Sequence, residues 1–317
     1  MKAFASIVVL LAACTSGPFH APLVLGGRSY DAATLNHGFR VYQQNCRACH
    51  GDRGDGHGLS STGMWPPPRD FSQGVFKFGR VPAPDLPPDT ELARILRDGL
   101  NGTGMLAWRL SDADLDAVIG YVKTFSPRWR SEQPGQAVTA PSDPIATLDE
   151  TAQHAAVVRG EALYHGKALC SSCHPAYVTR AHLYELTRAL GTPVPQYSPA
   201  MYASHVKDTE FCWSWHSPAG ADPLCDEPVR AVPPDFTHDL MRSIRKGSEA
   251  SDLFATLAAG VSGAGMPPWR GALSDAEIWD LAWYVRSLAL LRGGDEGAAL
   301  RARLTAPDNA AWQSPTP

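Results

Sequence analysis

Residues 38–50 read GFRVYQQNCRACH, and the end of this segment is the most specific pattern in the chain. Two cysteines, Cys46 and Cys49, are separated by two residues, and His50 follows directly. Three kinds of site use two thiols and an imidazole at such close spacing: a zinc site, a redox-active disulfide and a covalently attached haem. The surrounding residues distinguish between the three.

The same pattern occurs a second time. Residues 160–174 read GEALYHGKALCSSCH and end with Cys170, Cys173 and His174 in the same order. Farther along each half, GLNGTGMLAWRLSDADLDAVIGYVKTF begins at residue 99 and GVSGAGMPPWRGALSDAEIWDLAWYVRSL begins at residue 260. Glycines, a methionine, a tryptophan and Ser-Asp recur in order in these two segments. The chain therefore contains the same unit twice.

Both units are predicted to begin with a helix that packs closely against another helix. Gly38 and Tyr42 are four residues apart, as are Gly160 and Tyr164, so each pair lies on one helix face. A glycine on that face permits the backbone of another helix to come close. We expect the first and last helices of each unit to cross there.

Both units are also predicted to end with an amphipathic helix. Ser111 with Asp114, and Ser274 with Glu277, have the spacing of an N-terminal capping box, and the second pair matches it better. Apolar residues follow at helical spacing: Leu115, Val118, Ile119 and Val122 in the first unit, and Ile278, Leu281, Ala282 and Val285 in the second. Such a helix needs a partner to cover its apolar face.

The context of the motifs favours haem over zinc and over a redox disulfide. A redox pair is expected beside a βαβ unit, whereas these motifs follow helical patterns. A structural zinc site needs four convergent ligands, and each motif offers three, two of which are adjacent in the chain. Cys-x-x-Cys-His is the attachment signature of c-type haem, in which the thiols bind the vinyl groups and the histidine faces the iron.

With these motifs, both units resemble class I cytochrome c domains, and the whole chain resembles a dihaem c-type cytochrome of bacterial respiratory chains. The resemblance implies an all-α fold of two tandem domains, the second with an insertion between its haem-attachment motif and its methionine loop. It also implies two covalently bound haem c groups. The residues expected to attach them and to bind iron are Cys46, Cys49, Cys170, Cys173, His50 and His174.

The resemblance also implies a methionine as the sixth iron ligand, in a loop before the last helix. Met105 in GTGM and Met266 in GAGM occupy that position. A thioether is a soft, neutral ligand that raises the reduction potential of haem iron. The methionines outside this loop are predicted to be packing residues: Met64, Met201 and Met241. Met201 and His205 remain alternatives at the second iron.

A histidine that binds a metal usually donates its other ring N–H to a carbonyl or carboxylate. The run Pro66–Pro68 offers carbonyls on a stiff segment, and we expect one of them to accept from His50. The corresponding partner of His174 is left open, because Pro175 follows it directly.

The repeat sets the predicted domain boundaries. They are a signal peptide (1–13), a lipidated N-terminal tether (14–32), the first domain (33–130), a proline-rich linker (131–152), the second domain (153–292) and a poorly ordered tail (293–317). The insertion covers residues 175–232. It is interpreted as a partner-docking surface or as a lid over the second haem.

The N-terminus indicates export and lipidation. MKAFASIVVLLAAC has one lysine, a short apolar run and then Cys14, which resembles a bacterial lipobox. An ordinary cleaved signal with an unrelated cysteine is the alternative. The protein is expected to face the periplasm in the cell envelope, held by lipid at the inner or the outer membrane.

Two cysteines remain, and both lie in the insertion. Cys212 and Cys225 are predicted to form a disulfide, which would stabilise the fold by about 3 kcal/mol on a chain-entropy estimate. The oxidising compartment outside the cytoplasm favours that bond. A third metal site with His205 or His216 is the alternative.

The charge and the motifs together define the expected function. The formal net charge is −4 and no long basic run occurs, so nucleic acid is not an expected partner. We expect single electrons to be relayed between other redox proteins, such as a membrane oxidoreductase complex, without enzymatic activity of this chain. A dihaem peroxidase is the alternative, but it needs an iron with an open sixth position. A haem-based sensor would need an output domain, and the sequence shows none.

Overall fold

A computed structural model describes residues 17–192, 197–205, 207–212, 228–247 and 249–315. Within these ranges the α-helices are α1 (Ala32–Asn45), α2 (Arg47–His50), α3 (Asp89–Asp98), α4 (Asp112–Lys123), α5 (Arg128–Ser131), α6 (Glu150–His165), α7 (Arg180–Ala189), α8 (Glu249–Ala259), α9 (Asp275–Leu290), α10 (Asp295–Thr305) and α11 (Pro307–Ala311). Short 3-10 helices cover Cys170–Ser172 and Pro199–Tyr202. The strands are β1 (Leu23–Leu25), β2 (Arg28–Tyr30), β3 (Lys207–Cys212) and β4 (Pro228–Ala231).

A closely packed helix pair recurs in both units. Helix α1 packs against α4, and α6 packs against α9. A Cβ atom added at Gly38 would lie 2.0 Å from the carbonyl oxygen of Ala117, and one at Gly160 would lie 2.1 Å from that of Asp280. Only glycine fits at such distances. The predicted close approach is confirmed in both units.

The predicted helix caps are confirmed as well. The Ser111 hydroxyl accepts a hydrogen bond from the Asp114 N–H (3.1 Å). At Ser274 both bonds of a capping box form, because the hydroxyl accepts from the Glu277 N–H and the Glu277 carboxylate accepts from the Ser274 N–H (2.8 Å). The caps fix where α4 and α9 begin.

Each helix pair is connected to its motif by a buried tyrosine. Tyr42 and Tyr164 are 0% and 1% exposed. The Tyr42 hydroxyl donates to the Gly51 carbonyl (2.7 Å), and the Tyr164 hydroxyl donates to the Pro175 carbonyl (2.9 Å). Both carbonyls belong to the residue that directly follows the motif histidine. The helix core and the motif are therefore held together in the same way in each unit.

The all-α prediction omitted two antiparallel hairpins, β1–β2 and β3–β4. In the first, Gly26 and Gly27 have positive φ (60° and 77°), which suits the tight turn of a two-residue hairpin. Leu25 and Tyr30 are buried in the core of the first unit. Residues 23–30 are therefore packed against the first unit, contrary to the expectation that residues 14–32 form a tether.

The segment predicted to be a poorly ordered tail also differs from the expectation. It contains α10 and α11, and the buried side chain of Asn309, in α11, contacts α10 and residues of the insertion. The Asn309 side chain accepts from the Arg180 N–H (2.8 Å) and donates to the Tyr202 hydroxyl (2.8 Å). A composition rich in glycine and alanine suggested disorder, but these polar contacts with distant residues hold the segment in place.

The two units contact each other through a buried carboxylate. Asp252 has a side chain that is 1% exposed and accepts hydrogen bonds from Arg80 of the first unit and Arg245 of the second. A buried charge is costly unless it is paired. The pairing therefore favours one particular arrangement of the units.

Among the described residues, the structure contains no helix with the length and apolar character that a membrane span requires.

Candidate haem-binding sites

Each of the two Cys-x-x-Cys-His motifs forms a tight turn. The His50 N–H donates to the Cys46 carbonyl (2.9 Å), and the His174 N–H donates to the Cys170 carbonyl (2.9 Å). This turn brings two thiols and an imidazole together on a short segment that follows the first helix of the unit. The four motif cysteines, Cys46, Cys49, Cys170 and Cys173, are free thiols.

The first cysteine of each motif has a raised pKa. Burial raises the pKa of Cys46 to about 12, and burial raises the pKa of Cys170 to about 12. A redox-active pair needs the opposite shift, because the thiolate is the attacking species. The motifs therefore fit a redox-active disulfide poorly. In the described ranges, no group of three or more His, Cys, Asp or Glu side chains is arranged to hold a metal ion.

The His50 imidazole is fixed on two sides. Its Nδ1–H donates to the Arg69 carbonyl (3.0 Å), and its ring stacks on Phe71 with centroids 4.4 Å apart and planes 21° apart. Burial lowers the pKa of His50 to about 4, so the ring is neutral at pH 7. With Nδ1 engaged as a donor, Nε2 carries the lone pair that an iron ligand needs.

His174 has the same surroundings. Its Nδ1–H donates to the Pro234 carbonyl (3.0 Å), and its ring stacks on Phe236 with centroids 4.7 Å apart and planes 22° apart. Burial lowers the pKa of His174 as well. In each unit the accepting carbonyl belongs to the residue two positions before the stacked phenylalanine. The orientation of the histidine is thus a feature of the repeat.

The prediction that a proline carbonyl accepts from His50 is wrong by one residue. The acceptor is Arg69, which directly follows the proline run, whereas the acceptor for His174 is a proline. The feature common to both units is that the acceptor lies two residues before the stacked phenylalanine in the sequence. The type of the accepting residue does not matter, because every residue has a backbone carbonyl.

A cavity in the first unit contains the predicted site residues. Its open volume is about 1340 Å³ including the mouth, and Cys46, Cys49, His50 and Met105 all line it. The remaining wall is mainly apolar and includes Phe71, Phe76, Leu92, Ile95, Leu96, Trp108, Val118, Ile119 and Val122. Two thiols, a neutral imidazole, a thioether and apolar side chains suit the attachment, ligation and burial of a porphyrin. The residues present therefore fit a haem c group.

The loops that carry Met105 and Met266 have the same backbone structure. Gly99 and Gly260 have positive φ (68° and 72°), and a Cβ at either would lie within 2.8 Å of the methionine carbonyl oxygen. Equivalent N–H to carbonyl hydrogen bonds also recur: Leu100 to Met105 (2.8 Å), Val261 to Met266 (3.0 Å), Trp108 to Leu96 (2.9 Å) and Trp269 to Leu257 (3.0 Å). The two methionines therefore occupy equivalent positions in the structure.

Sequence reasoning missed a second thioether at the first cavity. Met64, predicted to be a packing residue, lines the cavity together with Met105. Its sulfur lies 3.5 Å from the position of a Cβ added at Gly104, the residue before Met105. No repeated pattern surrounds Met64, so the sequence carried no signal for it.

In the second unit, the predicted residues lie around one core. Cys170, Met266 and Trp269 pack against it, and so does Met241. Met201 is buried in a separate cluster with Ala176, Val178 and Leu183. His205 contacts the Ala200 carbonyl through Nε2 (3.1 Å). The structure thus brings Met266 and the second motif to the same core and places Met201 in another.

Some predictions fall on residues outside the described ranges, among them the signal peptide (1–13) and the alternative metal ligand His216. Cys14, the predicted lipidation site, precedes residue 17. Cys212 ends β3, but Cys225, its predicted disulfide partner, is not among the described residues.

Comparisons with known proteins agree with this geometry. Residues 33–122 match the family model of cytochrome c oxidase, cbb3-type, subunit III. The chain is also similar to a chain of the reducing HAO-like protein complex of Kuenenia stuttgartiensis, with 27% sequence identity and a TM-score of 0.60 over 80% of this chain and 95% of the other. The cytochrome c family implies covalently bound haem c, for which Cys46 and Cys49 supply the attachment motif. Residues 33–122 form a cytochrome c family domain.

Proposed function

We propose that the chain is a dihaem electron-transfer protein built from two tandem cytochrome c domains, the second of which contains the 175–232 insertion. The main support is the equivalence of the two motif histidines, each with a carbonyl acceptor at 3.0 Å and a stacked phenylalanine. The similarity to a solved chain also extends over 80% of this chain, beyond residues 33–122.

The proposed role of the side chains follows from their surroundings. Cys46 and Cys49 would attach the first haem, and Cys170 and Cys173 the second. When bound, haem iron supplies the redox chemistry by accepting and releasing one electron at a time. The carbonyls of Arg69 and Pro234 hold the imidazoles with Nε2 free to bind iron.

Methionine ligation would complete both sites. Met105 and Met266 lie in equivalent loops, and His/Met coordination raises the reduction potential. No acid–base step by a side chain is needed for electron relay, since the protein only fixes the ligands and excludes water. Other redox proteins are the proposed partners, and a redox-protein complex is the proposed setting because the similar solved chain comes from a protein complex.

The enzymatic alternative is a dihaem peroxidase, which needs an open sixth position on one iron. Two thioethers at the first cavity, Met64 and Met105, disfavour this. Spectra of the oxidised, purified protein test the choice. Two low-spin haems without peroxide turnover agree with electron transfer, whereas a five-coordinate high-spin haem with rapid peroxide reduction would favour the enzyme.

We further propose that the protein is held at a membrane on the periplasmic side by lipid on Cys14. The support is the sequence around Cys14, and each buried methylene of an acyl chain contributes about 0.8 kcal/mol. Cys14→Ser should release the protein from the membrane fraction. Unchanged membrane association of this variant would reject lipidation.

A further inference from the structure

Three cationic side chains line the mainly apolar cavity of the first unit: Arg69, Lys77 and Arg242. Arg69 and Lys77 belong to the first unit. Arg242 comes from the second unit, so the two halves of the chain share the wall of this cavity. No pattern in the repeat predicted this contribution.

Arg69 and Arg242 both lie close enough to Lys77 for their charges to affect it. Burial, together with the charges of Arg69 and Arg242, lowers the pKa of Lys77 to about 8. Burial also lowers the pKa of Arg69 to about 10 and lowers that of Arg242. Asp70 lies near Arg69 and Asp239 lies near Arg242, and each carboxylate partly offsets the charge of its arginine. The neighbouring cations around Lys77 would still be stabilised by a further negative charge. The cavity therefore favours a ligand that carries negative charge at this end.

Arg242 is held in place by the loop that carries Met105. The Asn101 N–H donates to the Arg242 carbonyl (2.8 Å), and the Asn101 side chain donates to the Ile244 carbonyl (2.6 Å). Leu240 also lies 3.2 Å from the position of a Cβ added at Gly102. The segment 240–244 is thus fastened to the first unit at several points.

The same segment is anchored in the second unit. Ile244 is buried in the second core, and Met241 packs against that core. The neighbouring Arg245 pairs with the buried Asp252, which also pairs with Arg80 of the first unit. Arg242 therefore lines the first cavity from a segment that packs against both units.

We propose that Arg242 is a haem-binding residue supplied to the first site by the second unit. With Arg69 and Lys77 it forms a site for carboxylates, which are the propionate groups of the haem attached at Cys46 and Cys49. The inference rests on the proposed function, because it needs haem at that motif. It implies that the first site is complete only when the second unit is docked, and that the carboxylate edge of the first haem faces the second unit.

The test is a potentiometric titration of the full-length, haem-loaded protein with Arg242→Gln, Arg242→Lys and a control, Lys246→Gln. Lys246 is an exposed cation four residues after Arg242. Removing the Arg242 charge should lower the equilibrium constant for the reduction of one of the two haems about tenfold. For a one-electron couple this is a decrease in reduction potential of ~59 mV. Arg242→Lys should retain most of the original potential, and Lys246→Gln should leave both haems unchanged.

The affected haem is identified by Met105→Ala, which should shift the same redox component. The inference is overturned if Arg242→Gln leaves both components in place, if it shifts the other component, or if Lys246→Gln has an equal effect.

A free anion is the other possible source of negative charge. If adding inorganic phosphate to the wild type shifts the first component as much as Arg242→Gln does, the site is open to solvent anions and the assignment to propionates fails. A protein without haem would instead reject the proposed function.

Discussion

The ring of Phe71 stacks on the imidazole of His50, with the centroids 4.4 Å apart. Phe236 and His174 repeat this relationship in the second unit, with the centroids 4.7 Å apart. In both units the phenylalanine also marks the position of the carbonyl that accepts from the histidine. The stack and the hydrogen bond together fix the plane of the imidazole.

Removing the aromatic contact of Phe71 should leave the imidazole of His50 less firmly oriented. Phe71→Leu is expected to lower the free energy of unfolding by about 1 kcal/mol, because the aromatic contact is lost while most apolar area remains. Haem should stay attached, and the potential of one redox component should change. Urea unfolding and redox titration measure both effects. Phe236→Leu is the matched control and should alter the other component; a change in the same component would contradict the assignment of one stack to each site.

The two thioethers at the first cavity can be distinguished by substitution. Met105→Ala should keep haem attached but remove the long-wavelength methionine–iron absorption of one site, because Met105 shares its loop structure with Met266. Met64→Ala should leave that absorption intact. Spectra of the oxidised variants provide the measurement. Loss of the absorption in Met64→Ala, with its retention in Met105→Ala, would assign ligation to Met64 instead.

The close helix contacts should not tolerate a methyl group. Alanine within a helix is ordinarily about 1 kcal/mol more favourable than glycine. Gly160→Ala should nevertheless destabilise the protein by about 3 kcal/mol, since its Cβ would lie 2.1 Å from the Asp280 carbonyl oxygen. Urea unfolding gives the value, and Gly294→Ala is the control, because Gly294 has a negative φ (−101°) and its added Cβ would lie 3.6 Å from the nearest atom, the Leu291 carbonyl oxygen. A stabilised Gly160→Ala variant would refute the contact.

A buried histidine outside the proposed ligands should make the fold sensitive to acid. His165 is 3% exposed, and burial lowers its pKa to about 3. The unfolded chain takes up a proton near pH 6.5, whereas the folded protein does not until about pH 3. The contribution to stability is therefore complete above pH 6.5 and falls by up to about 1.4 kcal/mol per pH unit on acidification through this window.

His165→Leu should reduce that slope, as measured by urea unfolding between pH 4 and pH 7. His154 lies on the same helix, α6, and is exposed. His154→Gln should therefore keep the slope of the wild type. An identical slope in His165→Leu would show that another group causes the acid sensitivity.

The features that could be predicted from the sequence are those that depend on residues only a few positions apart. The glycine–tyrosine pairs, the serine caps and the Cys-x-x-Cys-His turns each depend on residues within about one helical turn. Their duplication made every one of them visible twice. The hairpin turn at Gly26 and Gly27 was also a local signal, but it lies outside the repeat and was overlooked.

Features that depend on contacts between distant residues could not be predicted. Asn309 orders the C-terminal helices through Arg180 and Tyr202, which are far from it in the sequence. Arg242 enters the first cavity only because its segment packs on Asn101. Met64 lies close to Gly104, which is also far from it in the sequence. Hydrophobic periodicity and motif spacing carry no information about such contacts.

The mass of the denatured, purified protein tests the central claim most directly. Covalent attachment at both motifs predicts the mass of the mature polypeptide plus two haem groups, with one haem on the peptide containing Cys46 and Cys49 and one on that containing Cys170 and Cys173. The protein should remain red after extraction with acidified organic solvent. A colourless polypeptide, or a mass with fewer than two haem increments, would contradict the dihaem account.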